Sequence, residues 1–278
     1  MNSIYHTVRV FAVAAFLSVA SAAFAQNPVS TPPREPAMAL LDSPRHQEWV
    51  RIPQGDREIH TFLVYPERAD KATSVVVIHE NRGLNDWVRS VADELARAGY
   101  IAIAPDLLSG MGPDGGKTAD FADSDAAREA IYALDPDQVT ADLKAVAEFA
   151  KSLPSANGEV TVGGFCWGGA QTFRFATNYP DLDAAFVFYG SAPSDGLDRI
   201  EAPVYGFYGG IDERVNATID PASKTMSEFG KKYEPVIYDG AGHGFMRRGQ
   251  EAGASEADST AMRKAWERWL ELLAFIRP

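Results

Sequence analysis

Along the chain the apolar residues repeat with two different periods. The segment Ile59-His60-Thr61-Phe62-Leu63-Val64-Tyr65 alternates as a half-buried strand does. Ser74-Val75-Val76-Val77-Ile78-His79 is instead an unbroken β-branched run of the kind buried on both faces of a sheet. Helical spacing follows through Trp87, Val91, Leu95 and Ala98, closed by Gly99, and a second apolar strand over 100–104 stops at Pro105. The alternation continues with a helix over 137–152, a strand over 159–165 and a glycine-rich turn into a helix over 168–178. Strands are then predicted over 184–189, 204–208 and 235–238, with a helix near 222–232. A final amphipathic helix over 256–275 carries Trp266, Trp269, Leu270 and Leu273 toward the sheet. Strands repeatedly joined by helices predict a mostly parallel, doubly wound α/β sheet flanked by helices, in one domain without a large lid domain. The Gly- and Asp-rich stretch 107–136 is the largest irregular insertion. It follows a strand's C-terminal end, where such sheets build their sites, and is expected to overhang the active site.

The ends of the chain read differently. Residues 1–25 hold one Arg, an apolar run from Val10 to Ala20 and the triplet Ala23-Phe24-Ala25, the pattern of a secretory signal peptide cleaved after Ala25. The apolar run is too short for a membrane anchor, which needs about 20 such residues, so no stable membrane insertion is expected after cleavage. Export, most simply to a bacterial periplasm, is the expected localisation. Residues 26–46 include a proline-rich stretch and read as a flexible lead-in, leaving 47–278 as the folded domain. The chain has 278 residues, 46% of them hydrophobic, ample for a sizeable core. With 26 basic against 38 acidic residues the net charge is −12, so the protein's field repels polyanions and nucleic acid is excluded as a partner. A monomer is expected. One cysteine, Cys166, rules out an intrachain disulfide or a thiolate-rich metal site.

The predicted strand before Cys166 leads into Gly164-Phe165-Cys166-Trp167-Gly168-Gly169, a G-x-nucleophile-x-G turn with Cys in place of Ser. Such a turn strains the nucleophile's backbone and brings neighbouring chains too close for a Cβ, hence the glycines. At a helix N-terminus Cys166 gains from the dipole as a thiolate, and the Trp167 N–H is placed to hold an oxyanion. A buried structural cysteine satisfies the same pattern. Asp212 follows the strand Val204 to Tyr208 after a Gly-Gly turn, and His243 follows the strand Pro235 to Tyr238 within a glycine-rich loop. Asp212 as a helix cap and His243 as an ordinary loop histidine are the plainer alternatives. The order Cys166, Asp212, His243 is the nucleophile, acid, base order of the α/β-hydrolase fold.

At the end of the central strand stands His79-Glu80-Asn81-Arg82-Gly83-Leu84, where that fold places its second oxyanion donor, here the Asn81 N–H. Glu80 is then an acid at the mouth of the site, or else a solvated strand end. Position 83 is Gly, not His, so His79-Glu80 is no zinc motif; the loop at 240–244 lacks the third glycine of a dinucleotide loop. Neither a metal nor any other cofactor is implied. Tyr189, Phe207, Tyr208 and Phe245 flank the site in sequence, with core packing the plainer account of them.

These residues resemble the dienelactone hydrolase family, the carboxymethylenebutenolidases. The matching pieces are His79-Glu80 with Gly83-Leu84, then Ala104-Pro105-Asp106-Leu107, the Cys166 turn, Asp212, and His243-Gly244-Phe245 with Arg247, so that the match spans about residues 50 to 276. The resemblance implies hydrolysis of an enol-lactone such as dienelactone to maleylacetate through a thioacyl enzyme, with Glu80 holding and activating the resting thiol. It implies substrate-carboxylate binding by Arg247, for which a solvated pair with Arg248 is the alternative. A second such arginine is not evident, Arg82 and Arg128 being the candidates. Export and the insertion at 107–136 depart from the family pattern and open the substrate to an exported esterase or thioesterase of broad scope. A small-molecule binding protein on a hydrolase scaffold is the reading from another class.

Overall fold

Val75, Val76, Val77 and Ile78 are all inaccessible to solvent, as an apolar run at the centre of a two-faced sheet must be. They belong to β3 (Ala72–Ile78) in a computed structural model that describes residues 36–276. Before it come α1 (Pro36–Leu41), β1 (Gln47–Gln54) and β2 (Arg57–Val64); after it α2 (Asp86–Arg97), β4 (Ile101–Pro105), α3 (Ser124–Ala133), α4 (Pro136–Ser152), β5 (Ala156–Phe165) and α5 (Trp167–Ala176). The chain continues through β6 (Ala184–Phe188), β7 (Val204–Gly209), α6 (Glu213–Asn216), α7 (Ile219–Glu228), β8 (Tyr233–Tyr238), α8 (Phe245–Arg248) and α9 (Glu256–Ile276). The eight strands form one sheet in the order β1-β2-β4-β3-β5-β6-β7-β8. Pairing is antiparallel for β1 with β2 and β2 with β4, and parallel from β4 to β8.

Alternate residues of each central strand feed two cores. Val76, Ile78, Ile103, Val162 and Val187 pack under α4, α5 and α7, whereas Val75, Val77, Ala102, Phe186 and Phe188 face α2 and α9. On the second face Trp269 of α9 is fully buried against the rings of Phe188 (centroids 4.8 Å), Phe186 (5.9 Å) and Phe165 (6.0 Å). The parallel strands all end on the same edge of the sheet. Loops leaving β3, β5, β6, β7 and β8 therefore carry Glu80, Cys166, Tyr189, Asp212 and His243 to one place.

The structure departs from the hydrophobic pattern in several places. β1 was not evident, because an edge strand with one exposed face and Pro53 within it gives weak alternation; an edge tolerates the missing N–H. The helix placed near 222–232 runs over Ile219–Glu228, since Pro221 is accommodated in the first turn, where no N–H is needed, and Gly230 at φ 66° follows its end. The insertion at 107–136 is half helical: α3 is capped by Asp123, whose carboxylate accepts the N–H groups of Asp125 and Ala126, and Ala127 and Ile131 bury against Leu108.

The expected lead-in needs a correction over 36–46. There α1 buries Leu40, and the carboxylate of Asp93 on α2 accepts bonds from Ser43 Oγ (2.6 Å), Arg45 and Gln47 Nε2 (3.2 Å). One buried carboxylate thus anchors the segment, a polar device that no hydrophobic pattern reveals. Residues 26–35 and the predicted signal peptide lie outside the described residues.

The aromatic layer under α9 predicts that Trp269→Ala lowers unfolding free energy by about 3–5 kcal/mol, measured as a urea midpoint at unchanged m-value. A loss below about 1 kcal/mol would mean that the layer repacks around the gap.

Candidate active site

At the C-terminal end of β5 the chain must turn from strand into helix within one residue. That residue is Cys166, at φ 56° and ψ −115°, outside the regions a side chain favours. The turn persists because its surroundings hold it. The Cys166 N–H donates to the Phe188 carbonyl at 3.0 Å. Any Cβ on Gly164 would strike the Gly168 carbonyl, one on Gly168 would strike the His79 carbonyl, and one on Gly169 would come within 2.6 Å of the Phe188 carbonyl. The thiol is left half-buried above the sheet edge.

His243 bridges the thiol and Asp212. Its Nε2 lies 3.1 Å from Cys166 Sγ and its Nδ1 lies 2.6 Å from Asp212 Oδ2. Asp212 occupies the cap position of α6 but makes no side-chain bond to that helix, so its buried carboxylate serves the histidine. Burial disfavours the imidazolium, but the bonds and negative charge of Cys166 and Asp212 outweigh it and raise the His243 pKa from 6.5 to about 9. Tyr189, the residue after β6, packs its ring edge-on against His243 with centroids 5.2 Å apart.

Glu80 follows β3 by two residues, and burial pushes its carboxyl above the usual range, opposed mainly by Arg247. Arg247 Nε donates to Glu80 Oε2 at 3.2 Å, joining residues 167 apart, and its Nη1 bonds Glu251 at 2.6 Å. Arg247 therefore reaches the site, whereas Arg248 pairs with Asp258 at 3.2 Å. Glu80 bonds Arg247 here, while the thiol bonds His243. Arg82 is exposed, close enough for its charge to favour ionised Glu80. The Asn81 side chain donates to the Tyr132 hydroxyl of α3 at 3.1 Å, and Phe121, Leu134 and Trp167 all pack on the small core under α3. The insertion thus stands beside the Cys166 turn. Arg128 lies over the Tyr132 ring at 5.9 Å. Phe207, Tyr208 and Phe245 are core residues.

Three contributors were given no role of their own from the sequence, Asp106 having been quoted only within a matching family segment. Asp258 accepts the Gly242 N–H at 2.8 Å and so sets the loop that presents His243. Its signal was available, because Asp258 interrupts an otherwise apolar buried stripe, Ala261, Ala265, Trp269 and Leu273, on α9. Asp106, 1% exposed, receives Thr118 Oγ1 at 2.7 Å and the Leu108 N–H at 3.1 Å, pinning the start of the insertion. Tyr189 was read only as a flanking aromatic. Its hydroxyl is fully buried, and burial, with the negative charges of Glu80 and Cys166, holds its pKa well above the ordinary value.

The sequence profile of the dienelactone hydrolase family matches residues 59–276. A Salmonella typhimurium protein provisionally named a carboxymethylenebutenolidase is 32% identical over 237 residues, covering 80% of this chain and 85% of its own. An Escherichia coli K12 protein of the same provisional name is 30% identical over 240 residues, with 80% and 84% covered. Among solved structures, a provisionally named dienelactone hydrolase from Klebsiella pneumoniae superposes with a TM-score of 0.72 at 26% identity, covering 83% of this chain and 98% of that one. Sequence and fold agree along nearly the whole described chain, so it belongs to the dienelactone hydrolase family of the α/β-hydrolase superfamily and is a carboxylic ester hydrolase.

Proposed function

We propose that Cys166, His243 and Asp212 form a catalytic triad that opens a small anionic enol-lactone such as dienelactone through a thioacyl enzyme. The observation that carries this reading is the single imidazole bonded to the thiol on one nitrogen and to a buried carboxylate on the other. His243, bonded to the thiol, is placed to take its proton. Sγ attacks the lactone carbonyl carbon, and the charge moving to the carbonyl oxygen falls between the Trp167 and Asn81 N–H groups. Collapse breaks the ring C–O bond, and His243 gives its Nε2 proton to the departing enol oxygen. A water then loses a proton to His243, adds to the thioester carbonyl and releases the acid and the thiolate. Asp212 holds the imidazole in place and stabilises its charged form. No cofactor enters any step.

Arg247 supplies the recognition of the substrate carboxylate, for which charge-assisted hydrogen bonds are suited. It is held by Glu80 and Glu251 in the structure, so substrate must displace at least one of them. That prior engagement favours a second reading, a broad-scope carboxylesterase or thioesterase taking neutral substrates. The amino-terminal segment supports export to the periplasm, with the mature chain starting at Gln26.

The protein spanning residues 26–278 is expected to bleach the ultraviolet absorbance of cis-dienelactone, and Cys166→Ala to lose at least about a thousandfold in kcat. Hydrolysis of acetyl esters without consumption of the lactone would instead establish the second reading. Arg247→Ala should lower kcat/KM for the lactone about 10- to 100-fold, the worth of one charged hydrogen bond, while a neutral acetyl ester changes little; equal losses would refute carboxylate recognition. The folded pKa of His243 lies above its ordinary 6.5, so protonation stabilises the fold fully below pH 6.5, and that gain vanishes as pH rises through about 9. The urea midpoint of the parent should therefore exceed that of His243→Asn most at pH 6, with the gap closing by about pH 10. A gap independent of pH would show a neutral imidazole throughout.

A further inference from the structure

We propose that His79 is a positioning residue for the oxyanion site, its ring orienting the peptide that joins Glu80 to Asn81 so that the Asn81 N–H faces the reaction centre. The inference rests on the acyl-transfer reading above and deepens it.

His79 is fully buried at the end of β3, and both of its ring nitrogens are engaged. Nε2 lies 3.2 Å from the Leu107 N–H, which can only donate, so Nε2 accepts and the proton resides on Nδ1. Nδ1 lies 2.8 Å from the Glu80 carbonyl and donates to it. Burial lowers the pKa of the ring, opposed chiefly by the charge of Asp106, in keeping with one neutral tautomer.

The described residues contain no cis peptide bond. In a planar trans peptide the C=O and N–H point to opposite sides, so a donor that fixes the Glu80 carbonyl also fixes the Asn81 N–H. The same carbonyl accepts the Gly83 N–H at 3.3 Å, closing a tight turn in which Gly83 adopts φ 77°. The Asn81 N–H has no protein partner among the described residues and remains available to a ligand oxygen.

The opposite donor is tied to the same ring. The His79 and Trp167 rings stack with centroids 5.6 Å apart and 12° between planes, and Gly168 packs directly against the His79 carbonyl. The far end of the turn is pinned independently: Thr118 Oγ1 accepts the Leu84 N–H at 3.1 Å and donates to Asp106. With both ends clamped, the 80–83 turn has little freedom to rotate its peptides when the carbonyl of a substrate arrives, which is the preorganisation an oxyanion site requires. Any buried histidine must have its ring nitrogens satisfied; what marks this one is that the group it bonds is the carbonyl of the peptide carrying the Asn81 N–H.

Two substitutions divide the ring's two bonds. In His79→Asn the side-chain amide takes the place of Nδ1 and still donates to the Glu80 carbonyl; in His79→Gln the amide reaches the place of Nε2 and meets Leu107, leaving that carbonyl without its donor. The readouts are the acylation burst with p-nitrophenyl acetate and the rate of Cys166 alkylation by iodoacetamide, a displacement at saturated carbon that develops no oxyanion. Acylation is expected to fall about 10- to 100-fold in His79→Gln and at least about tenfold less in His79→Asn, the loss of an oxyanion donor being worth about 100- to 1000-fold. Alkylation should stay within about threefold of the parent in both, since the triad is untouched. Acylation and alkylation falling together, or the two variants behaving alike, would reduce His79 to a packing residue and overturn the proposal while leaving the triad standing. A parent that is alkylated rapidly but never acylated would remove the oxyanion site itself, and the role of His79 with it.

Discussion

Everything at the sheet edge depends on one strained residue, Cys166, which turns the chain from strand to helix at φ 56°. A left-handed non-glycine residue costs about 1–3 kcal/mol and persists only where its surroundings over-determine it. Here the surroundings are backbone: helix α5 begins so close to β3 and β6 that glycine is the sole residue that fits at 164, 168 and 169. The close approach has two consequences. It lifts the thiol out of the sheet toward His243, and it brings the start of α5 against the His79 carbonyl.

The loops around that turn are held by buried polar side chains that bond backbone. Asp258 fixes the Gly242 N–H next to His243, Asp106 fixes the insertion through Thr118 and Leu108, and His79 fixes the Glu80 carbonyl. A buried polar group is costly unless satisfied, and each of these is satisfied by loop backbone. Stability and catalytic geometry are thus served by the same bonds. Tyr189 is fully buried as well and packs edge-on against His243.

Polar and charged groups at the site fall into two sets of three. His243 sits between Asp212 and Cys166, whose bonds and charge raise its pKa against burial, while Glu80, burial raising its pKa, leans on Arg247, which also reaches Glu251. The resemblance to the dienelactone hydrolases implied a resting contact between Glu80 and the thiol. In this structure the thiol bonds His243 instead, and Glu80 bonds Arg247.

By itself the sequence determined the strand and helix alternation, the two-faced burial of β3, the glycine-bounded Cys166 turn and the chain order Cys166, Asp212, His243. These are local properties: period follows from backbone geometry, and a glycine requirement follows from one residue's φ or one close approach. It was silent on β1, whose single buried face and Pro53 leave little pattern, and on the anchoring of 36–46 by Asp93. Only the tertiary structure decided which charges pair. The bonds of Asp93 to Arg45 and of Arg247 to Glu80 join residues 48 and 167 apart. The tautomer of His79 and the raised pKa of His243 were likewise decided by partners brought from other strands. A polar contact draws its energy from distance, direction and the removal of water, and none of those exists until the chain has folded.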